Sequence, residues 1–88
     1  MKYIVEFENS HGKLRTIGQA NSIDECWDII SEFLKERKFK SYYNRRWIAE
    51  GKMMFDVGSY TEFFHVSKSD GTDITWKDII PEEEEYGL

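Results

Sequence analysis

One stretch constrains the fold more than any other. Ile23, Cys26, Trp27, Ile30, Phe33 and Leu34 recur at three- and four-residue intervals, while the runs on either side alternate every second residue. The first spacing gathers its side chains on one face of a helix, and the second divides them between the two faces of a strand. Ser22 and Glu25 stand at capping-box spacing at the start of the helical run, where the hydroxyl takes an orphan N–H and the carboxylate reaches back. Asp24, Glu25 and Asp28 lie near that start and Lys35, Arg37 and Lys38 near the end, an order that complements the helix dipole. One amphipathic helix cannot bury its apolar face by itself, so it must lie on a sheet.

The strands of that sheet are readable on both sides. Tyr3, Val5 and Phe7 alternate with Ile4, Glu6 and Glu8, a turn follows at residues 9–12, and residues 14–20 predict the second arm of a hairpin, with Gly18 marking a bulge. Beyond the helix, the run that contains Tyr42, Tyr43, Trp47 and Ile48 turns extended and reaches a turn at residues 50–52. Residues 53–57 and 62–67 predict two further strands. Between them Gly58, Ser59 and Tyr60 supply a tight connection that Asp56 or Ser59 can cap, and another turn follows at residues 69–71. Thr75 and Asp78 repeat the capping-box spacing before Pro81, which predicts a short helix that docks Trp76 on the core. The expected architecture is α+β: one main helix on a four- to five-stranded antiparallel sheet in the order ββαβββ, then a short C-terminal helix. Residues 1–81 are expected to form one compact domain and residues 82–88 an acidic tail carrying Glu82, Glu83, Glu84 and Glu85.

Length narrows the function classes. At 88 residues a chain buries roughly 60–65% of its unfolded surface, which leaves one thin core and little room for a deep catalytic cleft. Cys26, the only cysteine, cannot form an internal disulfide, which suits a reducing, cytoplasmic setting. The chain opens directly on a strand-like run rather than on a leader pattern, and no apolar run approaches the roughly 20 residues that cross a bilayer. Neither secretion nor a membrane partner is expected.

The net charge of -5 is unevenly distributed. The segment KERKFKSYYNRRW, residues 35–47, holds six cations against one carboxylate, a local +5, which leaves six cations against sixteen carboxylates, -10, for the remainder. Lys38, Lys40, Arg45 and Arg46 can meet phosphates while Tyr42 and Tyr43 stack on bases, the arrangement of single-strand nucleic-acid surfaces. The plainer reading is a solvated helix end and edge strand whose aromatics face inward. The acidic remainder suits a basic protein partner, and carboxylates arrayed on a small protein can also mimic a duplex.

Catalytic material is sparse. Cys26 lies on the apolar helix face and reads as a small buried hydrophobe; His11 falls in a turn. His65 alternates with Phe64 and Val66 and is expected near Asp56 or Glu62; these three would be the centre of a small enzyme, and with Ser59 and Tyr60 they make a candidate polar hairpin surface. No cysteine pair, phosphate-cradling glycine loop or metal-ligand spacing is present in the sequence, and neither a metal nor a cofactor is expected.

The stretch MFDVGSYTEFFHV, residues 54–66, resembles a pattern in small proteins encoded by phages and prophages of Gram-positive bacteria: an apolar residue, Asp, another apolar residue, Gly and Ser, then paired phenylalanines and an aliphatic. Asp56, Gly58, Ser59, Phe63 and Phe64 carry it, with Tyr60 standing where the pattern has histidine. The resemblance implies a mobile-element origin and no catalytic activity. The expectation is therefore a non-enzymatic interaction protein, an anti-CRISPR-like inhibitor or modulator of a host nucleic-acid-processing or defence protein. The alternatives are a single-stranded nucleic-acid module and the small enzyme. Phe63 and Phe64 should fill opposite faces of one strand, and an aromatic face left uncovered by the helix would suit a partner or a second copy.

Overall fold

The computed structural model describes residues 2–40, 44–58 and 62–79. Tyr42, Tyr43, Ser59, Tyr60 and Glu82, Glu83, Glu84 and Glu85, all named above as candidates, lie outside the described residues. Five strands, β1 (Tyr3–Glu8), β2 (Leu14–Ala20), β3 (Arg45–Ala49), β4 (Lys52–Asp56) and β5 (Phe63–Lys68), form an antiparallel sheet in the order β2-β1-β5-β4-β3. The main helix, α1 (Ile23–Glu36), follows β2, and a single turn, α2 (Trp76–Ile79), follows β5. This is the α+β arrangement expected from the sequence.

Local chemistry explains the element ends. Ser22 is extended and its Oγ accepts the Glu25 N–H at 3.2 Å, while Glu25 Oε1 accepts the Asn21 N–H at 2.8 Å. At the other end Lys38 turns left-handed at φ 59°, and the Phe39 N–H returns to the Leu34 carbonyl at 2.9 Å while the Lys38 N–H reaches Lys35 at 3.0 Å. These two bonds close α1 with a Schellman-type cap that turns Phe39 back against the core. The β3–β4 hairpin turns through Glu50 and Gly51, both at positive φ. At Gly51 the positive φ favours glycine, and a Cβ there would also displace the Asp73 carboxylate.

The bulge expected at Gly18 is present: Val5 faces Gly18 while Glu6 faces Thr16, so Ile17 is the extra residue. It accommodates the helix, because a Cβ on Gly18 would stand 3.0 Å from the Ile29 side chain.

Tyr3, Val5, Phe7, Met53, Phe55, Phe64 and Val66 fill the helix-side face of the sheet, and Ile23, Cys26 and Ile30 close over them. Phe7, Phe33 and Phe64 form an aromatic triangle with centroids 4.8, 5.4 and 5.8 Å apart, and Trp27 stacks on Phe55 at 5.8 Å. Phe63 and Phe64 do fall on opposite faces: Phe64 is buried, whereas Phe63 meets Trp47 edge-on across the open face. One expectation needs correction. Trp76 is 52% exposed and does not dock on the core; Ile74, tied through its N–H to the Gly51 carbonyl, is the inserted residue. The Thr75–Asp78 pair bonds in one direction of a capping box, with the Thr75 N–H donating to Asp78 Oδ2 at 2.8 Å, while the Asp78 N–H goes to the Thr75 carbonyl at 3.0 Å.

Candidate functional site

The sequence brought His65, Asp56 and Glu62 together as one polar surface, and the structure gives each a different partner. His65 faces Met54 on β4 and Glu6 on β1, and its Nε2 lies 2.6 Å from Glu8 Oε1 rather than beside Asp56 or Glu62. The reason is register: β5 pairs with β1 as well as with β4, so the carboxylates of β1 are within a diagonal step of the imidazole. His65 Nδ1 is buried and has no hydrogen-bond partner among the described residues. Asp56 is buried, bonded to Arg45 at 2.7 Å and to the Gly58 N–H at 3.0 Å, so it caps the connection after β4 as its sequence position suggested. Glu62 pairs with Arg37 at 3.6 Å.

Several cations of the basic segment are likewise committed to the protein's own groups. Arg37 spreads over the rings of Phe7 and Phe33 at 4.9 and 5.4 Å, and Arg46 over Phe55 at 4.9 Å. Arg45 is the partner of Asp56. Lys35, Lys38 and Lys40 remain exposed along the end of α1.

Those lysines border a shallow groove of about 410 Å³ whose floor is Trp27, Leu34 and Phe39, with Ser31 on its wall. On the opposite flank of α1, against β2, lies a groove of about 360 Å³ floored by Ile17, Ile29 and Phe33 and walled by Asp28, Glu32 and Glu36. Four-residue spacing stacks the three carboxylates one helical turn apart. Among the described residues none of the three is in an ion pair. One helix therefore separates two apolar-floored grooves of opposite charge. In the sequence Asp28 reads as a helix-dipole residue and Trp27 as part of the apolar stripe, and neither Glu32 nor Glu36 stands out as a binding residue. The signal was present in the i, i+4, i+8 carboxylates opposite a tryptophan.

Cys26 is fully buried, and desolvation, with a smaller contribution from Glu25, pushes its thiol up to about 12. At neutral pH it is a protonated packing group rather than a nucleophile. Among the described residues no group of three or more His, Cys, Asp or Glu side chains is placed to hold a metal ion, and no helix is long and apolar enough to cross a membrane. No protein-family model matches the chain, and searches of curated proteins and of solved structures return no significant match.

Proposed function

We propose that the protein is a non-enzymatic interaction module that works by occupying a partner macromolecule. The observation that carries this reading is the partition of charge across α1: two apolar-floored grooves, one lined by Asp28, Glu32 and Glu36 and the other by Lys35, Lys38 and Lys40. Apolar floors supply contact area and the charged walls choose the partner, the division of labour seen at protein interfaces. The resemblance of residues 54–66 to phage and prophage proteins directs the choice of partner: a host nucleic-acid-processing or defence protein, inhibited or modulated in the anti-CRISPR manner.

The test presents the full chain as bait to lysate of a Gram-positive bacterium under crosslinking. It runs alongside two charge-reversal variants, one with Asp28, Glu32 and Glu36 changed to Lys and one with Lys35, Lys38 and Lys40 changed to Glu. A partner retained by the wild type and lost by at least one folded variant is expected. Capture of the same proteins by all three baits overturns the reading.

A second reading, single-stranded nucleic-acid binding, is favoured by one feature: Trp27 and Phe39 lie among Lys35, Lys38 and Lys40 in the same groove. It requires oligonucleotide affinity that falls steeply with salt and is lost in the Lys-to-Glu variant. Absence of a gel shift at low salt eliminates it.

A further inference from the structure

The groove between α1 and β2 runs beside an open edge of the sheet. Among the described residues β2 has a neighbouring strand, β1, on one side only. The Asn9 N–H bonds the Lys13 carbonyl at 2.9 Å, which sets the phase of the hairpin ladder. Because successive residues alternate, the backbone groups of Leu14 and Thr16 point away from β1, toward the free edge.

We infer that this edge takes an extended segment of a partner protein as a sixth strand, whose groove-side face, every second residue, carries apolar side chains for the floor and lysines or arginines for the α1 carboxylates. The inference rests on the interaction reading above and specifies the chemistry of one partner segment.

Three observations converge on it. First, the bulge places Ile17 beside Gly18 opposite Val5, and Ile17 shares the groove with Ile29 and Phe33. The groove floor is thus level with the sheet edge, where side chains of an added strand would point. Second, two devices that usually guard an edge are weak here, and the third, the bulge, lies past the outward groups of Leu14 and Thr16: β2 has no proline, and its helix-side cation, Arg15, is drawn across the Phe33 ring at 5.5 Å. Third, charge selects the occupant. A second copy pairing β2 to β2 about a two-fold axis would bring two sets of Asp28, Glu32 and Glu36 together, and like charges facing one another at close range oppose that pairing. The acidic residues Glu82 to Glu85 would meet the same repulsion. A strand carrying positive charge meets three carboxylates against one cation of β2, Arg15, which is drawn over the Phe33 ring. Main-chain bonds supply affinity and the pockets for alternate side chains supply selectivity, as in other strand-addition complexes.

The probe is a fluorescently labelled octapeptide, Thr-Val-Thr-Lys-Thr-Val-Thr-Lys (the Lys–Val peptide), whose Val and Lys share one face of a strand, compared with its counterpart carrying Glu for Lys (the Glu–Val peptide) against the full chain. Polarisation should report binding of the Lys–Val peptide alone, and amide chemical-shift changes should concentrate at residues 14–18 and at Ile29. Glu32→Lys should weaken the peptide at least about tenfold, a change of about 1.4 kcal/mol. Thr16→Pro removes an outward N–H and should abolish binding. Because proline also disturbs β2 itself, a measurement on the untouched protein accompanies it: of two Lys–Val peptides N-methylated on opposite alternate residues, one should bind and the other should not. Equal binding of both methylated forms, equal binding of the Glu–Val peptide, shifts confined to other surfaces, or no binding overturns the inference. None of these results affects a lysate partner that depends on Lys35, Lys38 and Lys40, so the broader interaction reading can survive this one's failure.

Discussion

The two faces of the sheet solve the same problem with different chemistry. On the helix side, Val5, Met53, Phe55 and Val66 are completely shielded, and the contacts are ring against ring and aliphatic against aliphatic. On the open side Trp47, Met54 and Phe63 are only half-covered, and polar side chains, Arg45 with Asp56 and His65 with Glu8, stand beside them in pairs. The contrast teaches that stability and surface character are assigned to separate faces. Dispersion and dehydration hold the first, while the second carries polar groups whose bonds compensate partial burial.

The contrast breaks most visibly at neighbouring phenylalanines. Phe64→Ala removes one corner of the aromatic triangle and should cost about 3–5 kcal/mol, whereas Phe63→Ala, on the half-covered face, should cost about 1 kcal/mol. Urea denaturation of the two variants measures the gap, and equal losses would erase the distinction between the faces. Next in size is Asp56→Ala, which takes the acceptor from the buried Gly58 N–H and removes the ion pair with Arg45, and should cost about 2 kcal/mol in the same assay. Asp56→Asn can keep an acceptor for Gly58 and should lose less.

The helix-side face also predicts an alkaline signature. Burial raises the Cys26 thiol to about 12 from an ordinary value of 9.0, and Tyr3 is raised as well, chiefly by desolvation with Asp78 adding to it. The unfolded chain therefore releases these protons first as pH rises. Their contribution to stability is complete below about pH 9 and is lost progressively toward about pH 12. Denaturation midpoints followed across that window should fall, and the fall should be shallower in Cys26→Ala. Native Cys26 should also resist thiol reagents that label it readily in urea. The smallest effect belongs to the open face: Glu8→Gln should change stability by about 0.5–1 kcal/mol or less, because its carboxylate is partly exposed to solvent.

What the sequence disclosed follows the range of the physics. The Ser22–Glu25 box, the Thr75–Asp78 pair, the Gly18 bulge and the Asp56 cap are made within a few residues, so their patterns could be read directly. The position of β5 between β1 and β4 could not, since it depends on which non-local pairing buries more surface. With that position unknown, Glu8 was invisible as the partner of His65. Trp76 and Ile74 illustrate the same limit at closer range: both are large and apolar, and only the bond from Ile74 to Gly51 decides which one enters the core. The two grooves depend on how α1 is rotated over the sheet, which Gly18 against Ile29 helps to fix.

The pairing of β1 with β5 also bears on the protein's birth. Its partner β5 is made some sixty residues later, with Tyr3 paired to Lys68 and Glu8 to Phe63. During synthesis the N-terminal hairpin and α1 emerge while one side of β1 is still bare, and the β3–β4 hairpin has nothing to join. The sheet becomes continuous only when β5 leaves the ribosome and enters as the middle piece between two waiting hairpins. Completion is therefore a late, nearly all-or-none event governed by non-local contacts. A ribosome stalled before residue 63 would present β1 as an unpaired, apolar edge open to chaperones or to a neighbouring nascent chain.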